Sequence, residues 1–134
     1  MSLIHWKEAA MARILYIEDI QDNITLVEKI VTSRGHDFLS ARNAEQGLEL
    51  AFTSKPDLIL LDLGLPDADG QTLSVWLKGD PILSSIPILV LTAWPEEVVR
   101  QTVSAYNLNG YLCKPFALID LVNTIDSILG AKTA

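Results

Sequence analysis

Thiol chemistry is nearly absent from this sequence. Its single cysteine, Cys113, excludes an internal disulfide and a zinc–thiolate cluster, and it suits a reducing compartment. The two histidines, His5 and His36, have no companions at ligand spacing, so neither is expected to hold a metal. Positive charge is scarce as well. Ten Lys and Arg stand against 17 Asp and Glu, for a net charge of −7. No face basic enough for non-specific phosphate-backbone binding is expected, so nucleic acid is not a direct partner. Cations and basic protein surfaces are the partners such a chain attracts. No run approaches the roughly 18 apolar residues of a membrane span, and the opening MSLIHWKEAAMA lacks the apolar centre of a secretory signal. A membrane partner is therefore not expected either. The segment after the first apolar run, EDIQDN, has neither the glycines nor the Ser and Thr of a nucleotide or flavin loop.

What remains is a soluble, cytoplasmic, single-domain reading, with 134 residues and enough apolar content to bury a core. Along the chain, short aliphatic runs alternate with segments of helical period. Ile14–Ile17 is too continuous for a half-exposed strand and reads as a buried one. Ile24, Val27, Ile30 and Val31 recur at helical spacing before Gly35 stops them. A weak strand at Phe38-Leu39 precedes a helix with Asn43 as N-cap and Ala44, Leu48, Ala51 and Phe52 on one face. Leu58–Leu61 is the third strand, followed by a helix with Leu73, Trp76 and Leu77 inward. Ile88–Leu91 is the fourth strand, and Pro95-Glu96 opens a helix running to about Tyr106. Tyr111–Cys113 is a short fifth strand, with Cys113 read as core. The last helix carries a stripe of Leu118, Leu121, Val122, Ile125, Ile128 and Leu129. Five β/α repeats imply an α/β fold, a doubly wound five-stranded parallel sheet with helices on both faces.

The stretch DLILLDLGLPDADG, residues 57–70, shows what the sheet is for. An apolar run ends on a carboxylate, Asp62, and turns through Gly, Pro and Asp. The first strand likewise ends in Glu18-Asp19, the fourth in Thr92 and the fifth in Lys114. Open parallel sheets bind ligands beyond the carboxyl ends of their strands, so four of five runs aim polar groups at one edge. Two carboxylates about 4 Å apart repel by roughly 4 kcal/mol at an effective dielectric near 20. Three of them require a cation or a proton, and hard oxygen donors favour Mg2+. Lys114 adds a point charge and Thr92 a neutral donor, a set able to neutralise the oxygens of a transferring phosphoryl group. The nucleophile is then the carboxylate facing that group in line. Asp67 and Asp69-Gly70 read as turn and helix cap.

These four motifs, Glu18-Asp19, LLDLGLPDADG, VLTA at Thr92 and YLCKPF at Lys114-Pro115, resemble the receiver domain of two-component response regulators, in the manner of chemotaxis regulators. The resemblance covers residues 12–130. It implies a flavodoxin-like (βα)5 domain with strand order 2-1-3-4-5, an order that receiver proteins themselves exemplify. Residues 1–11 are then an N-terminal extension, native or added, and residues 131–134 a C-terminal tail. By the same resemblance Asp62 is the phosphoacceptor. Asp19 binds Mg2+ directly, Glu18 through water, and the backbone carbonyl of Gly64 completes the protein ligands beside Asp62. Thr92 and Lys114 contact the phosphoryl group, Thr92 and Tyr111 form the switch, and the Lys114–Pro115 peptide is expected to be cis. The phosphodonor is a histidine kinase or a histidine phosphotransfer protein. The domain is not an enzyme in the usual sense; it assists its own phosphotransfer and autodephosphorylation. Output is expected through the fourth helix, fifth strand and last helix, by binding a partner or a second copy. The chain closes soon after its last helix, which fits a stand-alone receiver or one domain of a larger kinase or regulator.

This sequence departs from the family pattern in small ways: Glu where Asp is commoner at 18, Ile20 where a polar residue is frequent, and no side chain at Gly64. A haloacid-dehalogenase-type phosphatase would need a second Asp two residues after Asp62, where Gly64 stands. The alternative that the residues leave open is a pseudo-receiver, a protein-binding module independent of phosphorylation.

Overall fold

Each apolar run becomes a strand, and each segment of helical period becomes a helix packed against it. The computed structural model describes residues 12–133, with side chains over 12–130. The segment 1–11, with His5 and the expected extension, lies outside the described residues. In chain order the elements are β1 (Arg13–Ile17), α1 (Gln21–Ser33), β2 (Asp37–Ala41), α2 (Ala44–Ser54), β3 (Leu58–Leu61), α3 (Gly70–Gly79), β4 (Ile88–Thr92), α4 (Glu96–Ala105), β5 (Gly110–Cys113) and α5 (Leu118–Thr133). The last helix thus continues through residues 131–133, where the sequence suggested a tail. All strands are parallel, in the order β2-β1-β3-β4-β5.

Alternation along the strands divides the core in two. Leu15, Ile17, Ile59, Leu61 and Val90 face α2, α3 and α4, while Ile14, Tyr16, Leu58, Leu60, Leu89 and Leu91 face α1 and α5. The three central strands are buried on both faces, which is why their sequences are continuous rather than alternating. Helix ends follow local chemistry. Asn43 accepts the Gln46 N–H and Asp69 the Thr72 N–H, each at the N-cap. Gly35, at φ 86°, turns the chain after α1.

Four side chains expected inside are less buried than their spacing suggested. Trp76 is 47% exposed, because α3 presents Gly70, Leu73, Ser74 and Leu77 to the sheet instead. Ser74 can take an inner slot because its hydroxyl donates to the Gly70 carbonyl at 2.8 Å. Phe52 is also exposed. The buried face of α2 is made of the small residues Ala44, Gly47 and Ala51. A Cβ on Gly47 would lie 2.6 Å from the Ile17 side chain, so the helix approaches β1 too closely for a large residue at that contact. Leu118 precedes the buried part of the α5 stripe, Leu121 and Ile125, and is exposed. Cys113 is only half-buried, since β5 is an edge strand with every residue partly accessible. Among the described residues, no helix is long and apolar enough to cross a membrane.

Candidate functional site

Strand register assembles the site. Ile17 pairs with Leu61, so Glu18 and Asp62 leave neighbouring strands side by side. Thr92 pairs with Cys113, and the Lys114 N–H donates to the Thr92 carbonyl at 2.8 Å, which sets Lys114 beside the end of β4. The Lys114–Pro115 peptide is cis, as the resemblance implied. Glu18, Asp19 and Asp62 each offer a carboxylate oxygen, all within 4.8 Å of one another.

Lys114 does not divide its charge evenly. Its Nζ lies 2.5 Å from Glu18 Oε1 and 3.9 Å from Asp62 Oδ2. Glu18 is fully buried, and its Oε1 also accepts from the Tyr16 hydroxyl at 3.0 Å and the Asn23 amide at 2.9 Å. Its Oε2 accepts the Asp19 N–H at 3.1 Å and, at 3.5 Å, the Ile20 N–H. Burial alone would raise the Glu18 carboxyl; the bond and charge of Lys114, helped by Asn23, outweigh it and bring the pKa to about 2. Asp62 fares differently. Burial first, then the Glu18 charge, push its carboxyl up, and Lys114 and the Thr92 hydroxyl offset only part of this. The cluster therefore carries uncompensated negative charge centred on Asp62, and a divalent cation fits that donor set.

The surroundings of Asp62 are tightly built. The Gly64 N–H approaches Asp62 Oδ1 at 3.4 Å. A Cβ at Gly64 would sit 3.5 Å from Trp94 Nε1, so the indole stands over the loop at the mouth of the site. Thr92 is fully buried, and its Oγ1 accepts the Trp94 N–H at 3.3 Å. Tyr111 is not drawn into the cluster: its hydroxyl donates to Glu96 Oε2 at 3.0 Å on the outer side of β5. The Cys113 thiol is pushed up, by desolvation and then by the Glu96 charge, so it has no thiolate character to lend the site.

Several residues outside the expected acid–lysine set hold the site in shape. Asp67 bridges loops, with Oδ1 accepting the Ala44 N–H at 2.7 Å and Oδ2 the Glu45 N–H at 3.0 Å. Those backbone bonds, Ala44 first, hold its carboxyl below the ordinary range. It thereby ties the loop after Asp62 to the start of α2. Arg42 clamps the loop after β1, donating to the Asp19 carbonyl at 2.8 Å and to Gln21 Oε1 at 2.6 Å. Gly70 must be glycine, because a Cβ would lie 2.6 Å from Leu63 Cα and 2.8 Å from the Asp62 carbonyl oxygen. Asp67 and Gly70 lie in the turn the sequence marks after Asp62, whereas Arg42 reaches its partners from a neighbouring loop with no motif of its own.

Comparison with known proteins agrees with this geometry. The pattern of the response regulator receiver domain matches residues 14–126. The polar-differentiation response regulator DivK of Brucella anthropi is 31% identical over 117 residues, which span 87% of this chain and 95% of that protein. A two-component response regulator from Clostridium difficile superposes with a TM-score of 0.84 at 27% identity, over 91% of this chain and 98% of that one. The receiver domain of a Pseudomonas aeruginosa sensor histidine kinase, whose structure has a magnesium ion coordinated in the active-site cleft, gives a TM-score of 0.82 at 28% identity, over 90% of this chain and 99% of that one.

Proposed function

The chain belongs to the response regulator receiver domain family, and on that premise we propose that it accepts a phosphoryl group on Asp62 from a histidine kinase or a histidine phosphotransfer protein. The observation that carries this reading is the cluster of three carboxylates, Glu18, Asp19 and Asp62, with oxygens within 4.8 Å of one another and the Lys114 ammonium 3.9 Å from Asp62. Asp62 attacks phosphorus in line. An Asp62 oxygen–phosphorus bond forms as the nitrogen–phosphorus bond of the donor phosphohistidine breaks, and the released imidazole takes its proton from water. Asp19, Asp62 and the Gly64 carbonyl would hold Mg2+, with Glu18 reached through water. When bound, the ion supplies positive charge to the phosphoryl oxygens. Lys114 moves its ammonium toward those oxygens, and Thr92 offers its hydroxyl. The domain assists its own phosphorylation and dephosphorylation, and it works in the cytoplasm.

Output follows from the same site. Tyr111 now points outward to Glu96, and Thr92 is the neutral group able to shift toward the phosphoryl oxygens. That shift vacates space beside β4, which the Tyr111 ring can fill from the neighbouring strand. The face of α4, β5 and α5 is remodelled as a result. Val98, Leu118 and Ile119 are exposed on α4 and α5, apolar surface suited to a partner or a second copy.

Incubation with Mg2+ and acetyl phosphate, read by intact mass, tests the reading. One phosphoryl group should be gained by the wild type and none by Asp62→Ala. No gain in the wild type would leave a phosphorylation-independent binding module in its place.

A further inference from the structure

The two loops that carry the proposed cation ligands are both fastened to a third segment, which carries none. Residues Arg42–Glu45 run from the end of β2 into the first turn of α2. Arg42 reaches one way, its guanidinium donating to the Asp19 carbonyl at 2.8 Å and to Gln21 Oε1 at 2.6 Å. Ala44 and Glu45 face the other way, their N–H groups donating to the two oxygens of Asp67 at 2.7 and 3.0 Å. Those donors are among the four that a helix start leaves unpaired, and a carboxylate is the favoured partner there. The segment between the two grips is itself held in shape. Asn43 Oδ1 accepts the Gln46 N–H at 2.8 Å, and Gln46 Oε1 accepts the Arg42 N–H at 3.2 Å. Next to this turn, Gly47 lets α2 sit hard against β1, where a Cβ would lie 2.6 Å from the Ile17 side chain.

We propose that Arg42 and Asp67 are positioning residues for the cation: through the Arg42–Glu45 segment they form one bracket that fixes the distance between the loop of Asp19 and the loop of Gly64. The proposal rests on the phosphoacceptor reading, in which Asp19, Asp62 and the Gly64 carbonyl hold Mg2+. Asp62 follows β3 directly, whereas Asp19 lies two residues past β1 and Gly64 three past β3. Their placement therefore depends on the loops. Mg2+ requires near-ideal octahedral geometry with short bonds, so ligands drawn from two loops hold it well only when the gap between those loops is set beforehand.

The test is a titration with Mg2+ alone, with no phosphodonor, followed by Trp94 fluorescence. Both side chains lie on the surface, so Arg42→Ala and Asp67→Ala leave the core intact. Each should bind Mg2+ about tenfold more weakly than the wild type, the cost of ordering roughly one residue of backbone as the ion binds. Arg42 is the sharper arm, because charge and bracket disagree about it. Removing a cation near the cleft should tighten Mg2+ binding if charge alone mattered, whereas the bracket requires weaker binding. The double variant separates a bracket from two unrelated loop contacts. A link that spans two loops fails when either end lets go, so Arg42→Ala/Asp67→Ala should stay near the tenfold loss of the single variants. Independent contacts would multiply to about a hundredfold. Unchanged or tighter binding in either single variant overturns the proposal, as does a hundredfold loss in the double variant. If the wild type binds Mg2+ and labels on Asp62 while the single variants bind as tightly, only this inference fails. If the wild type shows neither Mg2+ binding nor labelling, the phosphoacceptor reading falls and takes the inference with it.

Discussion

Replacing Lys114 with methionine keeps the aliphatic stem but deletes the ammonium that faces Glu18 and Asp62. Glu18 is fully buried, with its carboxyl near 2 rather than at its ordinary 4.5. At 1.36 kcal/mol per pH unit that difference is worth about 3 kcal/mol, which matches the roughly 3–5 kcal/mol lost when a buried ion pair loses one member. Asn23 supplies part of the lowering, while Asp62 loses its partial compensation as well; the two corrections oppose each other. Lys114→Met should therefore cost about 3 kcal/mol at pH 7 without metal. The pH dependence carries a sign. A carboxyl depressed in the folded state contributes fully above its unfolded pKa, near 4.5, and that contribution is lost as pH falls toward 2. Without Lys114, burial holds the variant's Glu18 carboxyl above its ordinary value, so the gap between wild type and variant should begin to shrink as pH falls through that raised value and keep narrowing toward pH 2. Urea unfolding in EDTA, followed by tryptophan fluorescence, measures both quantities. A gap under about 1 kcal/mol at pH 7 would refute the reasoning, and so would one that stays constant through pH 3.5.

Asp62→Asn should stabilise the metal-free protein at neutral pH by about 1 kcal/mol and raise Tm by several degrees. The raised folded-state carboxyl costs stability as pH climbs through it, so the gain should fade as pH falls through that raised value and be gone by about 4; a loss of Tm at pH 7 contradicts this. Gly70→Ala drives a Cβ against backbone at Leu63 and Asp62, and should cost about 2 kcal/mol while slowing labelling of Asp62. Unaltered stability and labelling kinetics would show that the loop yields easily. The buried His36 ring accepts the Ala12 N–H through Nδ1 at 3.1 Å, and burial holds its pKa below 6.5. Its neutral form supports the fold above about pH 6.5, and that support declines as pH falls, because the unfolded chain takes up the proton first. His36→Gln should remove this slope between pH 7 and 5.5 in unfolding titrations, and an identical slope in both proteins argues against it.

Strand ends were the legible part of this chain. Asp62, Thr92 and Lys114 each close an apolar run, and a parallel sheet brings such positions to one edge, so the acid cluster followed from the run boundaries. Buried faces of helices were harder to read where small residues do the packing. Phe52 and Trp76 match helical spacing, yet Gly47 and Ser74 take the inner positions, because close approach to the sheet favours the smaller side chain. Spacing weighs hydrophobicity and is blind to that distance. For groups acting across loops, the sequence does not show which segment they reach. Arg42 and Asp67 reach backbone atoms of segments 22 or 23 positions away in the chain. Tyr16 reads as one more apolar residue of β1, and only the contact of its hydroxyl with Glu18 sets it apart.

Borohydride reduces an acyl phosphate to an alcohol, converting a phosphorylated aspartate to homoserine, and peptide mapping then locates the modified residue. Applied to the wild-type protein after Mg2+ and acetyl phosphate, it should find homoserine at position 62, with Asp19, Asp67 and Asp69 unmodified. Homoserine at any of those other positions, with Asp62 intact, would contradict the account.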